Sequence, residues 1–377
     1  HKAFLCDLAP ATKYTYNIGG DFSKTFLTPN AVGSDKTPTM FVVVGDPGDT
    51  SDTGLNIVNM LKPYKGLDPQ ALFIAGDYSY ANGDGAVWDE WYNFNQETFS
   101  QLPQLGINGN HETITFHGHN NTTPNYQDIP ADNYRDYLVR ASTPITDEAK
   151  AAHRTYYSYD IGLVHAIFLD DYVGSNGAEI NTVGTPEWRK ERELQLQWLK
   201  DDFIGLDRDA TPWVIVIKHN PFYNTFKDHQ CQCSKNIFEI LDADRDNCWN
   251  GTYTSGAAMY EPACGIQAKF EQVYLDNGVN VVLAGHVHGY ERTAPLVNNK
   301  IDEENGIVYI TTGAGGNYEG HAKDSTLNPL PAWSLKRQNK EFGISKIVAT
   351  RESIEFAWFS ENDGVKPFDS YVIKATN

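Results

Sequence analysis

The stretch VVLAGHVHGYER, Val281 to Arg292, decides how the rest of the chain is read. An apolar run of strand length stops at Gly285, and two imidazoles, His286 and His288, follow with one valine between them. Just past a strand the backbone is extended or beginning to turn, so the two rings lie a few ångströms apart and can face different ions of a close pair. A single such pair describes many surface loops. Repetition changes the reading.

The same construction, a short apolar run followed at once by a candidate metal ligand, occurs four more times. Met40 to Val44 leads into Gly45-Asp46, Ala71 to Ala75 into Gly76-Asp77, Leu105 to Asn108 into Gly109-Asn110-His111, and Trp213 to Lys218 into His219. Continuous apolar runs are the mark of buried parallel-type strands, and open α/β sheets bind ligands beyond their carboxyl ends. Asp46, Asp77, Asn110, His219, His286 and His288 are therefore expected on one rim.

A chain of 377 residues can bury a sizeable core as one large domain with small attachments. Its net charge of -19 disfavours nucleic acid and anionic lipid, and its longest apolar runs are too short to span a bilayer. It opens at His1 without an initiator Met or signal-peptide pattern, as a processed product would. Sequons at Asn120 or Asn121 and at Asn250, with four of five cysteines between Cys231 and Cys264, read as a secreted, N-glycosylated chain. The spacing fits no common zinc motif, so two disulfides are expected. Cys231 and Cys233 each reach Cys248 or Cys264, with the pairing open. Cys6 is left over, its partner outside the chain or its thiol buried and inert.

Residues 1 to about 30 read as strand remnants, Ala31 to Thr39 as a linker, and from Met40 strands and helices alternate in the order of a layered α/β fold. Helical patterns cover Leu55 to Leu61, Trp88 to Leu102, a segment opened by Pro186 with apolar Leu194, Trp198 and Leu199, and Ile266 to Leu275. Residues 113 to 155 look like a long excursion, and Tyr156 to Leu169 like a hairpin turning at Ile161-Gly162. The runs Gly343 to Thr350, Ser353 to Phe359 and Ser370 to Ala375 have no helix between them and predict an antiparallel closure of a second sheet.

Taken together, Asp46, Asp77, Tyr80, Asn110, His219, His286 and His288 give each of two metals four protein groups if Asp77 bridges. Oxygen and imidazole donors without thiolate suit Fe, Zn or Mn. Tyr80 discriminates among these, because a phenol titrating near pH ~10 becomes an anionic ligand most readily on Fe(III). Two ions roughly 3.5 Å apart can hold a hydroxide for attack and seat phosphoryl oxygens, which makes phosphoester hydrolysis the natural use. His111, beside Asn110, is the first candidate for leaving-group protonation and His229 the second. Glu112 is expected to orient a neighbouring imidazole. His117, His119, His153, His165 and His321 lack a strand-end setting and read as structural or surface residues.

The motifs GDPGD at 45 to 49, GDYSY at 76 to 80, GNHE at 109 to 112, VIKH at 216 to 219 and GHVH at 285 to 288 resemble those of purple acid phosphatases, within the calcineurin-like metallophosphoesterases. The resemblance runs from Met40 to the C-terminus and includes HNPFYN, GYER and GAGGNYEG. It implies Fe(III) on Asp46, Tyr80 and His288, a divalent ion (Zn, Mn or Fe) on Asn110, His219 and His286, and Asp77 on both. It also implies a four-layer α/β/β/α sandwich of two mixed sheets flanked by helices over residues 39–377, preceded by a remnant of a fibronectin-III-like β domain and linker over 1–38. The function implied is a secreted acid phosphatase that hydrolyses phosphomonoesters with a metal-bound hydroxide, its partner a small phosphoester. Two alternatives are a di-zinc or di-manganese phosphodiesterase or nucleotidase, and a non-catalytic extracellular glycoprotein of the same fold.

Overall fold

A computed structural model of the chain describes residues 3–113, 134–174, 183–325 and 327–375. The order begins with β1 (Lys13–Ile18), β2 (Phe22–Leu27), β3 (Thr39–Val44), β4 (Leu72–Ala75), β5 (Gln104–Ile107), β6 (Tyr157–Ile161), β7 (Val164–Phe168), β8 (Trp213–Lys218) and β9 (Val281–Ala284). It continues with β10 (Tyr290–Thr293), β11 (Leu296–Val297), β12 (Lys300–Ile301), β13 (Val308–Thr312), β14 (Ser334–Gln338), β15 (Gly343–Ala349), β16 (Ser353–Ser360) and β17 (Asp369–Lys374). Seven strands make one mixed sheet in the order β14-β10-β13-β9-β8-β7-β6, and six make the other in the order β17-β16-β15-β3-β4-β5. Strands β3, β4 and β5 are parallel, as are β7, β8, β9 and β13. The tail strands β15 to β17 close the second sheet antiparallel, as expected.

Side-chain alternation divides each continuous apolar run between two cores. In β3, Phe41 and Val43 pack between the sheets, while Met40, Val42 and Val44 join the outer core with Trp88, Trp91 and Tyr137. In β8, Ile215 and Ile217 pack between the sheets, while Val214 and Val216 face Leu196, Leu199 and Phe270 of the opposite outer core. Phe73 sits where the sheets meet, its ring 4.5 Å from Phe41 and 5.3 Å from Phe168. Helix, sheet, sheet and helix therefore stack as four layers.

Several boundaries differ from expectation. The pattern from Trp88 to Leu102 breaks into helices Gly85–Phe94 and Gln96–Phe99, because Asn95 turns its amide back to the Trp91 carbonyl. In helix Pro186–Ile204, capped by Thr185, Leu194 is 37% exposed and the buried face carries Trp188, Arg192, Gln195, Leu196, Leu199 and Phe203. Strands β10 and β14 were not anticipated, since YERT and SLKRQ show no apolar alternation. The β1–β2 hairpin stands apart from both sheets and rests on the body through Tyr16 Oη to the Ser100 carbonyl (2.8 Å) and Lys24 to Glu97 (2.5 Å).

The disulfides resolve as Cys231–Cys264 and Cys233–Cys248, and Cys6 is exposed, which removes the buried-thiol alternative. Asn250 follows helix Arg245–Trp249 and is half-buried. Asn120, Asn121, His117 and His119 lie outside the described residues. No helix among the described residues is long and apolar enough to cross a membrane.

Candidate metal centre

Each strand end named above delivers its side chain to one place. Asp46 and Asp77 follow β3 and β4 with φ of 56° and 51°, Tyr80 has φ 57°, and His286, after β9, has φ 68°. Non-glycine residues rarely hold this left-handed conformation, and such strain collects where a site requires a particular direction. The adjoining glycines make room: a Cβ on Gly285 would stand 2.5 Å from Asp46 Oδ2, and one on Gly109 would collide with the Asp77 carboxylate.

Two donor groups result. In the first, Tyr80 Oη lies 3.2 Å from Asp46 Oδ1 and 3.1 Å from His288 Nε2, and His288 Nε2 lies 3.5 Å from Asp46 Oδ1. In the second, His219 Nε2 lies 3.1 Å from Asp77 Oδ2 and 3.0 Å from Asn110 Oδ1, with the His286 ring 4.9 Å from that of His219. His219 Nδ1 donates to the Ala75 carbonyl (2.8 Å) and His288 Nδ1 to the Gly320 carbonyl (3.0 Å). Those bonds turn both Nε2 atoms toward the cluster, the orientation that metal-binding histidines take when the other ring nitrogen donates to a carbonyl. His286 Nε2 is buried without a hydrogen-bond partner and stands 3.7 Å from Glu261.

Charge completes the test of fit. Burial opposes ionisation of Asp77, yet the His219, His111 and His286 imidazoles outweigh it and hold the carboxyl well below its ordinary value. His219 is pushed up to about 10, burial being overcome by Asp77 and Asp46, and burial together with His229 brings His286 down to about 3. Burial, Asp46 and Asp77 drive the Tyr80 phenol well above its usual pKa. Protons on His219 and Tyr80 thus occupy positions where cations would sit, and ion binding would release them. Hard oxygen and imidazole donors, buried and converging, fit a pair of metal ions.

Residues 39–290 match the family described as Calcineurin-like phosphoesterase. The chain belongs to that family. Residues 306–370 of this phosphoesterase match the description Iron/zinc purple acid phosphatase-like protein C. The phosphoesterase is similar to purple acid phosphatase 22 of Arabidopsis thaliana, 28% identical over 96% of this chain and 69% of that protein. It is also similar to the Fe(3+)-Zn(2+) purple acid phosphatase 12 of the same plant, at 29% identity over 97% and 69%. In fold it matches a purple acid phosphatase from yellow lupin seeds with a TM-score of 0.69 and 19% identity, covering 98% of this chain and 60% of the lupin chain. The phosphoesterase thus spans less than two thirds of that solved structure.

Both candidate acids border the cluster of this phosphoesterase. Asn82 Oδ1, 2.6 Å from His111 Nδ1, orients the ring so that His111 Nε2 lies 3.9 Å from Asp77 Oδ2 and 3.7 Å from Glu319. The His229 ring centroid lies 3.9 Å from that of His286, with the two planes tilted by 44°. Glu112 departs from expectation: its carboxylate accepts from the backbone N–H groups of Asp77, Tyr78 and Gly109 (3.0, 2.9 and 2.8 Å) and so fixes the loop rather than an imidazole.

Two further residues, Asp171 and Glu261, contribute to the site. Asp171 Oδ2 accepts from the His219 and Asn220 backbone N–H groups (3.0 and 2.6 Å), and its other oxygen lies 2.8 Å from buried Lys218. Asp170 and Asp171 follow β7 by two and three residues in the same run-then-ligand pattern. Glu261, in the cysteine-rich loop, had no such signal.

Proposed function

We propose that this phosphoesterase is a secreted acid phosphatase that hydrolyses phosphomonoesters at a dinuclear Fe(III)–M(II) centre, M being Zn, Mn or Fe. The observation that carries the reading is Tyr80, its phenol buried against Asp46 and His288. Burial makes its proton hard to lose, so a strongly acidic ion is needed to take its place. Asp46, Tyr80 and His288 would hold Fe(III), Asn110, His219 and His286 the divalent ion, and Asp77 both. When bound, the pair supplies the positive charge that draws a phosphate in and acidifies the attacking water.

The remaining work falls to this chain's own groups. His111, oriented by Asn82, and His229, paired with Glu261, are the groups placed to deliver a proton to the departing oxygen. Asp171 and Glu112 grip the backbone on either side of the ligands and keep them directed. The Asn250 sequon and the Asn120 and Asn121 sequons support an N-glycosylated extracellular chain, and residues 1–38 are inferred to be the end of a preceding β domain followed by a linker.

Metal analysis with a visible spectrum tests this. A tyrosinate-to-iron charge-transfer band, absent from Tyr80→Phe, together with phosphomonoesterase activity is the expected result. A colourless, active di-zinc or di-manganese protein would replace the iron assignment, and a metal-loaded protein without turnover would overturn the enzyme reading.

A further inference from the structure

We propose that the cavity beside His286 receives the leaving group and selects phosphomonoesters whose leaving group is a flat, uncharged ring. This rests on the phosphomonoesterase reading and adds to it a substrate class.

The cavity, about 410 Å³, is bordered at its inner end by Asn110 and His286, two of the expected ligands of the divalent ion. From there it is walled by Tyr172, Trp188, Pro262, Val183 and Tyr260. Its volume is within the range that encloses a small organic group. Tyr260 is 80% exposed and Val183 41%. Single exposed apolar side chains are ordinary, but these two sit at the rim of a carbon-lined recess that opens on the reacting centre. Aromatic walls reward a flat ring through offset and edge contacts.

Charge points the same way. No lysine or arginine lines the cavity among the described residues. Its carboxylates are Asp171, 2.8 Å from Lys218, and Glu261, 2.6 Å from His229. Away from the ion-binding end, a second phosphate or a carboxylate on the leaving group would meet Glu261 with no lining lysine or arginine among the described residues to compensate, at a desolvation cost.

The wall is also fixed in place. Buried Arg192, its guanidinium 3.9 Å over the Trp188 ring, donates to the carbonyls of Trp249 (2.6 Å), Pro262 (2.9 Å) and Ala263 (3.2 Å). Cys231–Cys264 ties the same loop to the segment carrying His229. Tyr172 Oη stands 3.5 Å from Asn110 Oδ1, so one aromatic wall is in register with the ion-binding group.

The test compares naphthylethyl phosphate with ethyl phosphate, whose alkoxide leaving groups have similar basicity, in the parent and in Tyr260→Ala. The expected kcat/KM ratio favours the naphthyl ester about tenfold or more, carried mostly by KM. Tyr260→Ala cuts that ratio several-fold, and a carboxylate added to the ring abolishes the gain. Independently of turnover, naphthylethanol binds the purified protein at one site by calorimetry and binds Tyr260→Ala more weakly. Hydrolysis of both esters with equal efficiency, or a ratio unmoved by Tyr260→Ala, overturns the proposal while leaving the phosphatase reading intact. No hydrolysis of either ester by metal-loaded parent overturns both.

Discussion

His229 Nδ1 and Glu261 Oε1 lie 2.6 Å apart, joining two loops separated by 32 residues directly above the His286 ring. Burial would raise the Glu261 carboxyl, but His229 and His286 reverse this and hold it well below its ordinary value, so the pair is a charged acceptor on an imidazole donor. Glu261→Gln is expected to lower kcat by about ten- to a hundredfold with metal content unchanged. His229→Ala should cost at least as much, and the double variant little more than His229→Ala alone, since the two act as a unit. Additive losses in that cycle would separate them.

A methyl group at position 285 tests how tightly the strand ends are packed. In Gly285→Ala the new Cβ would stand 2.5 Å from both Ala75 O and Asp46 Oδ2, with no room to withdraw. The expected cost is about 1–3 kcal/mol in stability, and a displaced Asp46 should reduce activity on the order of a hundredfold. Thermal melting and kcat on the metal-loaded variant measure the two effects separately.

The disulfide Cys231–Cys264 closes a loop of sequence separation 33, and one of its cysteines lies two residues past His229, the other three past Glu261. Replacing both by serine should remove about 4 kcal/mol by the chain-entropy account and lower kcat through loosening of the His229–Glu261 pair. The ligands on the strand ends are elsewhere, so metal stoichiometry should hold. Loss of metal along with activity would contradict that division.

His165 offers a pH test away from the metal centre. Its Nδ1 lies 2.6 Å from Asp160 and its Nε2 2.9 Å from Asp202; burial lowers its pKa, but the two aspartates prevail and raise it to about 9. Because the folded pKa exceeds the unfolded value of 6.5, the stabilisation is complete below pH 6.5 and disappears as pH rises through about 9. Allowing for the half-exposed Asp160, it amounts to on the order of 2 kcal/mol. The gap in melting temperature between parent and His165→Gln should be constant below pH 6.5 and close by pH ~10. A gap independent of pH would mean that His165 contributes packing alone.

What the sequence revealed and what it hid divides along physical lines. Apolar runs such as Val281 to Ala284 announce themselves because both faces of these strands are buried, and the glycine after each run marks where the backbone must turn. Tyr80 and Asn110 were legible through their position behind such turns. Leu194 misled because helical spacing alone does not show that Arg192 and Gln195 occupy the buried face, each bonded to backbone groups distant in sequence. Glu261 was invisible because its value lies in meeting His229 across a disulfide-bound loop. Strand β14 was missed because its pairing with β10 depends on backbone hydrogen bonds and not on apolar side chains.

Arg192 spends its guanidinium on three carbonyls of the cysteine-bearing segment, while Gln195, on the same helix, clasps the Asp170 backbone at the end of β7. One outer helix therefore carries the fittings for two separate parts, the strand end that leads toward the candidate ligands and the cysteine-bearing collar that borders the cavity beside His286. On the leaving-group proposal, exchanging loop residues between Cys248 and Cys264 is expected to alter the accepted esters as long as those three carbonyls still meet the helix.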